Sequence, residues 1–226
     1  MLKGPAKMAE TATPAETAHV DRVRGARRSP AEHLAEAFTS GSVPGTVTLT
    51  EIPYQAMVGI RVHPASDAGA RVASVTGGLP ATCGAVTGGA VSDKGSVNTL
   101  WLGPTEFLVV APEEAHDSLG GSLVSDLTSA LGGDAGQVVD LSANRTTFEL
   151  SGSHARAVLE KTCALDLHPR VFKAGTAVST ELAHIPVMLW KTSDESYRIF
   201  PRASFADFLG RWLLDAMREY ASPEVP

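Results

Sequence analysis

Apolar residues recur along this chain at two periods. Every second position is apolar in some short runs, and every third or fourth in others. Thr46–Ile52 sets Val47, Leu49 and Glu51 against threonines, which predicts a strand. Met57–His63 and Thr147–Ser151 read as strands feeding helical stretches at Ala65–Val75 and Ser153–Thr162, the second with Ala155, Val158 and Leu159 inward. Gln137–Leu141, Thr176–Ala183, Ile185–Lys191 and Tyr197–Phe200 alternate or run apolar, as strands do. Leu119, Leu123, Leu127 and Leu131 recur at helical spacing before Gly132-Gly133. Ser204–Tyr220 predicts a last helix with Phe205, Phe208, Leu209, Trp212, Leu213 and Met217 on its core face. Ser29-Pro30-Ala31-Glu32 reads as a capping box opening a helix over Pro30–Phe38. Gly77–Gly95, rich in Gly, Ala and Thr, reads as a loop or mobile insertion.

The pattern occurs twice. Trp101–Pro112 laid over Trp190–Pro201, at an offset of 89, matches Trp with Trp, Glu106 with Glu195 and Pro with Pro. Leu119 then falls on Phe208 and Leu123 on Trp212. Each copy reads as strand, polar turn, strand, proline stop and amphipathic helix. A repeat of this length implies a duplicated unit. The fold class is therefore α+β, with two tandem similar β-rich subdomains. The divisions are a flexible basic extension (1–28), a helix and linker (29–45), a first subdomain (46–134) and a second (135–226).

Composition narrows the class. At 226 residues, 43% hydrophobic and 19% charged, the chain can bury a substantial core. A net charge of −6 argues against nucleic acid, where a basic face is expected. Residues 1–28 run the other way, with six basic groups against three acids. That head has no apolar centre and so does not read as a secretory signal. No run approaches the roughly 20 apolar residues of a membrane span. Cys83 and Cys163 form no CxxC pair, which favours two reduced, buried thiols over zinc or a redox dithiol. The expected location is cytoplasmic.

The stretch Val138–Phe172 is the best specified, yet it holds no nucleophile–base pair, metal cluster or phosphate loop. Neither GxGxxG nor GxSxG occurs anywhere. No catalytic, cofactor-binding or metal-ligating residue is assigned. His168, in Asp166-Leu-His-Pro169, reads as a loop brace because no second ligand stands near it. The densest polar group is Asp140, Ser142, Asn144 and Arg145. Either Arg145 is a fork for a carboxylate or a partner's carbonyl, or Asp140 and Asn144 hydrogen-bond the turn backbone while Arg145 pairs with an acid. Ser142, Asn144, Arg145, Arg202 and Phe205 are the interface candidates.

Those residues also carry a family resemblance. Trp101-Leu-Gly-Pro-Thr-Glu106, Val139-Asp-Leu-Ser-Ala-Asn-Arg-Thr146, Glu149-Leu-Ser-Gly152, Leu165-Asp-Leu-His-Pro169 and Arg202-Ala-Ser-Phe-Ala206 follow in order. With Ser29-Pro30, they resemble the gamma subunit family of heterotetrameric sarcosine oxidase over residues 29–220. The resemblance implies a fold like the folate-binding domain of the glycine-cleavage T-protein, with or without exchange of the subdomains' first strands. It implies a complex that demethylates sarcosine to glycine, giving hydrogen peroxide and a one-carbon unit for tetrahydrofolate. The implied partners are alpha, beta and delta subunits, mainly the large alpha. FAD, FMN, NAD, tetrahydrofolate and zinc would belong to those subunits. The Asn-Ala type sequence of folate-using relatives is not matched at Phe200-Pro-Arg-Ala203, so no folate residue is carried over. Two rival readings are a standalone folate-dependent aminomethyl transferase and a small-molecule binding module of the same fold.

Overall fold

The computed structural model describes residues 13–91 and 95–221. Most of the basic head (1–12), part of the glycine-rich stretch (92–94) and the Ser222-Pro223 stop lie outside the described residues. The helices are α1 (Pro14–Ala26), α2 (Ala35–Ser40), α3 (Asp67–Thr76), α4 (Leu123–Leu131), α5 (Ala155–Glu160) and α6 (Ala206–Ala221). The strands are β1 (Thr48–Glu51), β2 (Ala56–Arg61), β3 (Val86–Val91), β4 (Gly95–Gly103), β5 (Glu106–Ala111), β6 (Gln137–Asp140), β7 (Phe148–Ser151), β8 (Ala177–Leu182), β9 (Ile185–Ser193) and β10 (Ser196–Pro201). Two five-stranded antiparallel sheets result, ordered β3-β4-β5-β2-β6 and β1-β7-β10-β9-β8. The halves exchange their first strands: β1 pairs with β7, and β6 pairs with β2. Segments 46–134 and 135–226 thus each lend one strand to the other's sheet.

The sheets meet face to face, with helices on both outer sides. Val58, Ile60, Phe107 and Val109 pack under α3 and α4. Leu150, Leu189, Tyr197 and Ile199 pack under α2, α5 and α6. Met57, Leu100, Leu108, Val110, Met188, Trp190 and Phe200 fill the layer between the sheets. Strands buried on both faces read as apolar runs instead of clean alternations, as in Phe107–Ala111 and Val187–Trp190.

The duplication is real, but its register is one residue longer than sequence identity suggests. At an offset of 90, Phe107 meets Tyr197, Val109 meets Ile199, Leu123 meets Leu213 and Leu127 meets Met217, all on the helix-facing sides. Val110 and Phe200 are then both between the sheets. An offset of 89 superposes two tryptophans on opposite faces. Trp101 packs toward the helices of its sheet and Trp190 toward the other sheet. A one-residue slip in a strand exchanges every inward and outward side chain, so burial decides the register.

Other expectations change in detail. The capping box at Ser29 does not form. The Ser29 hydroxyl and the Ala31 N–H both donate to the Glu51 carboxylate, at 2.6 and 3.2 Å, and Glu32 faces Arg28 instead. The box closes at Thr13-Pro14-Ala15-Glu16, the near-identical sequence that starts α1, so residues 14–26 of the head are helical. α4 begins at Leu123, because Asp117 accepts from the N–H groups of Val124 and Ser125 at 2.8 and 3.0 Å. Leu119 lies in the preceding 3-10 turn. Within Gly77–Gly95, Val86–Val91 is a strand paired with β4. Gly88, with φ +121°, is required there, since a Cβ would strike the Val97 carbonyl. Cys163 is buried, but Cys83 is exposed in the turn before β3, and both are free thiols.

Candidate functional site

Strand exchange puts the turn after β6 at one corner of the molecule. Asp140, at the strand's end, accepts from Ser142 N (2.9 Å), Ser142 Oγ (2.6 Å) and His116 Nε2 (2.8 Å). Ser142 Oγ accepts from Met57 N at 3.0 Å, tying the turn to β2. His116 Nδ1 accepts from the Ser118 N–H at 3.1 Å, which leaves the proton on Nε2, facing Asp140. Burial alone would raise the Asp140 carboxyl. The Ser142 hydroxyl and N–H and the His116 N–H outweigh it and hold the group below the usual carboxylate range.

The chain then turns to meet the end of β10. Arg145 forms an antiparallel bridge with Arg202, and Ala203 N donates to Asn144 O at 2.9 Å. The 3-10 turn Ala203–Phe205 follows at once. Two sequence segments nearly sixty residues apart thus bring Ser142, Asn144, Arg145, Arg202 and Phe205 to one corner. Arg145 Nη1 donates to the Phe200 carbonyl at 2.9 Å, while its Nε is buried without a partner. The internal acid expected beside Arg145 is not there: among the described residues Arg145 makes no ion pair. Burial lowers its pKa, and the neighbouring Arg202 charge lowers it further. Asp140 does brace the turn, with Ser142 as its partner, and Asn144 joins through its backbone N–H and carbonyl, bonded to Leu141 O and Ala203 N.

The corner encloses a cavity of about 380 Å³, lined among others by Arg27, Arg28, Tyr54, His116, Asp140 and Arg145. α1 forms one wall, although none of its side chains is buried. Its C-terminal end is held by polar contacts. Arg24 and Arg27 reach Glu113 at 3.3 and 3.2 Å, and Arg27 lies over the Tyr54 ring at 4.0 Å. Sequence reasoning missed α1, Tyr54 and His116. The Thr13–Glu16 box was the available signal for the first. Nothing local marks the other two, which reach the corner through tertiary packing.

The corner does not arm a nucleophile. The Ser142 hydroxyl points at Asp140, not at His116, so no Ser–His relay is set up. Among the described residues no cluster of three His, Cys, Asp or Glu could hold a metal ion, and no helix is long and apolar enough to cross a membrane. His168 Nδ1 accepts from Arg170 N at 3.2 Å, a brace of its own loop. A second groove of about 510 Å³ runs beside Gln55, Asn98, Trp190 and Arg198, and Arg198 is paired with Glu149 at 3.3 Å. On α6, Leu209, Leu213 and Met217 form the buried stripe and Trp212 is partly buried. Phe205 and Phe208 point outward, 37% and 50% exposed, because the stripe turns past them toward α2.

A model of the sarcosine oxidase, gamma subunit family matches residues 63–219. The chain belongs to that family. A sarcosine oxidase gamma subunit from Arthrobacter sp. is 50% identical over 200 residues, covering 88% of this chain and 94% of the relative. One from Corynebacterium sp. strain P-1 is 51% identical over the same shares. Among solved structures, heterotetrameric sarcosine oxidase from Corynebacterium sp. U-96, in complex with pyrrole 2-carboxylate, contains a chain 46% identical with a TM-score of 0.80. The match covers 88% of this chain and 99% of that one. The glycine cleavage aminomethyltransferase T of Bartonella henselae, 14% identical with a TM-score of 0.59, shares the fold over 82% of this chain and 49% of its own.

Proposed function

We propose that this chain is the non-catalytic gamma subunit of a heterotetrameric sarcosine oxidase. The observation that carries the reading is 50% identity over 94% of a gamma subunit's length. The complex would demethylate sarcosine oxidatively to glycine, releasing hydrogen peroxide and handing the one-carbon unit to tetrahydrofolate. Flavins, NAD, folate and zinc would sit in the other subunits. This chain would bury and hold a face of the large alpha subunit, as a cytoplasmic component. The corner geometry supports the docking role, since it brings Arg145 and Arg202 together just before the exposed Phe205. Arginine and aromatic residues are enriched at interfaces.

The test is co-expression of a tagged copy with the neighbouring open reading frames, then affinity purification and a visible spectrum. A yellow complex of several stoichiometric chains that oxidises sarcosine with peroxide release is the expected result. A colourless chain that elutes alone, with the others expressed, would refute the reading.

A further inference from the structure

Resting on that subunit reading, we propose that the corner cavity is a socket for an acidic side chain, Asp or Glu, of the subunit this chain docks against. Three guanidiniums line the cavity, from Arg27, Arg28 and Arg145, against the single carboxylate of Asp140. Both Asp140 oxygens are already engaged, one by Ser142 and one by His116. Arg27 is neutralised by Glu113 at 3.2 Å. Arg28 donates to the Arg27 carbonyl at 3.4 Å, and its one carboxylate among the described residues is Glu32, at 3.8 Å, with the Arg28 side chain 77% exposed. Arg145 lacks a counter-charge among the described residues and stands beside a second cation, Arg202. A half-buried cation without a carboxylate costs folding free energy, and a partner's carboxylate would recover it on docking.

Two further observations select a protein partner over a free anion. Arg202, the bridge partner of the cavity's Arg145, leads into the turn that carries Phe205, and Phe208 follows on α6, both exposed. The chain as a whole carries −6, so a basic corner on an acidic body orients an acidic partner surface toward this one face.

The experiment uses the assembled complex with tagged wild-type, Arg145→Gln, Arg202→Gln or Arg28→Gln chains. Retention of the other subunits is measured against sodium chloride concentration. A second series replaces chloride with acetate at constant ionic strength. Arg145→Gln is expected to weaken retention by about 30-fold or more at low salt and to flatten its salt dependence. Arg28→Gln and Arg202→Gln should do the same more weakly. Arg28 is exposed enough that its loss cannot unfold the chain. A structural brace would lower retention equally at every salt concentration, so an unchanged salt slope in all three variants overturns the socket. Acetate weakening the wild type no more than chloride supports a protein carboxylate. Selective competition by acetate, with the arginine variants still assembling normally, overturns it in favour of a free carboxylate ligand. Failure of the wild-type chain to retain any subunit refutes the subunit reading itself, a different outcome from a normal complex with insensitive variants.

Discussion

The two halves of this molecule build the same core and different surfaces. At the structural offset of 90, Leu123 and Leu213 are both fully buried, as are Leu127 and Met217. Outside the core the equivalence stops. Phe205 and Phe208 of the second half stand where the first half has Ala115, which is buried, and Ser118, beside His116. The first half closes on itself with small and polar groups. The second presents two aromatic rings to solvent. Two exposed aromatics that follow the bridge partner of an arginine with no ion pair among the described residues suit a partner face. Duplication therefore explains the fold, and divergence at one corner is where the proposed docking face would lie.

The strongest test of the shared core is Leu123→Ala against Leu213→Ala. Each should cost about 2–5 kcal/mol of unfolding free energy, since each removes a fully buried side chain from an equivalent place. Chemical denaturation with both variants checks it. A cost under about 1 kcal/mol for either one would break the equivalence of the halves.

Next in size is the surface. Phe205→Ala and Phe208→Ala should leave the chain's stability within about 0.5 kcal/mol of wild type, because both rings are already exposed. Each should weaken assembly by about 1–2 kcal/mol, read as a shift in subunit dissociation. Loss of stability with unchanged assembly would return these rings to the core role their spacing first suggested.

That misreading shows which parts of the molecule are legible in one dimension. Strands and helices could be placed because both periods are strong, and the duplicated fold class stands, with the repeat register shifted by one residue and the first strands exchanged. The wide apolar face on Ser204–Tyr220 could not be divided into core and surface from spacing alone, since Phe208 stands at helical spacing from Trp212 just as Leu209 does from Leu213. Only the position of α2 separates them. Likewise Gly88 looks like a loop residue until β4 approaches too closely for a Cβ. Ser142, Asn144, Arg145, Arg202 and Phe205 were readable as polar or aromatic groups flanking turns. Their meeting at one corner was not, because the Arg145–Arg202 bridge is a tertiary contact. The helix at 14–26 was missed for the opposite reason. Its capping box was visible, but a helix that buries none of its own side chains carries no apolar stripe to notice.

A smaller effect separates the halves inside the core. Lys191 stands where the first half has Trp101. It is 1% exposed and donates to the Phe172 carbonyl at 3.2 Å, with no ion pair among the described residues. Lys191→Met keeps the volume and removes the desolvation of a charge, at the loss of one hydrogen bond and of the ammonium's contact with the Tyr197 ring, 5.8 Å from its centroid. It should raise stability by about 1 kcal/mol. A lower midpoint in denaturant would instead mean that the Phe172 carbonyl depends on this ammonium more than the core suffers from it.

The smallest expected effect is pH-dependent and lies at the join between the halves. Asp140 belongs to the exchanged strand β6 and accepts from His116 of the first half. Its carboxyl is held below the usual range by the Ser142 and His116 donors, against the upward push of burial. A carboxyl lowered on folding stabilises the folded chain above its unfolded pKa, about 3.9. That contribution is lost as pH falls through this value and then through the folded one. The stability gap between wild type and Asp140→Asn should therefore be constant at neutral pH and close below about pH 4. Denaturant midpoints for both chains at pH 7, 5 and 3.5 measure it. A gap of equal size at pH 3.5 and 7 would mean that shape, not charge, holds the turn, and that the negative group facing His116 is dispensable to the corner.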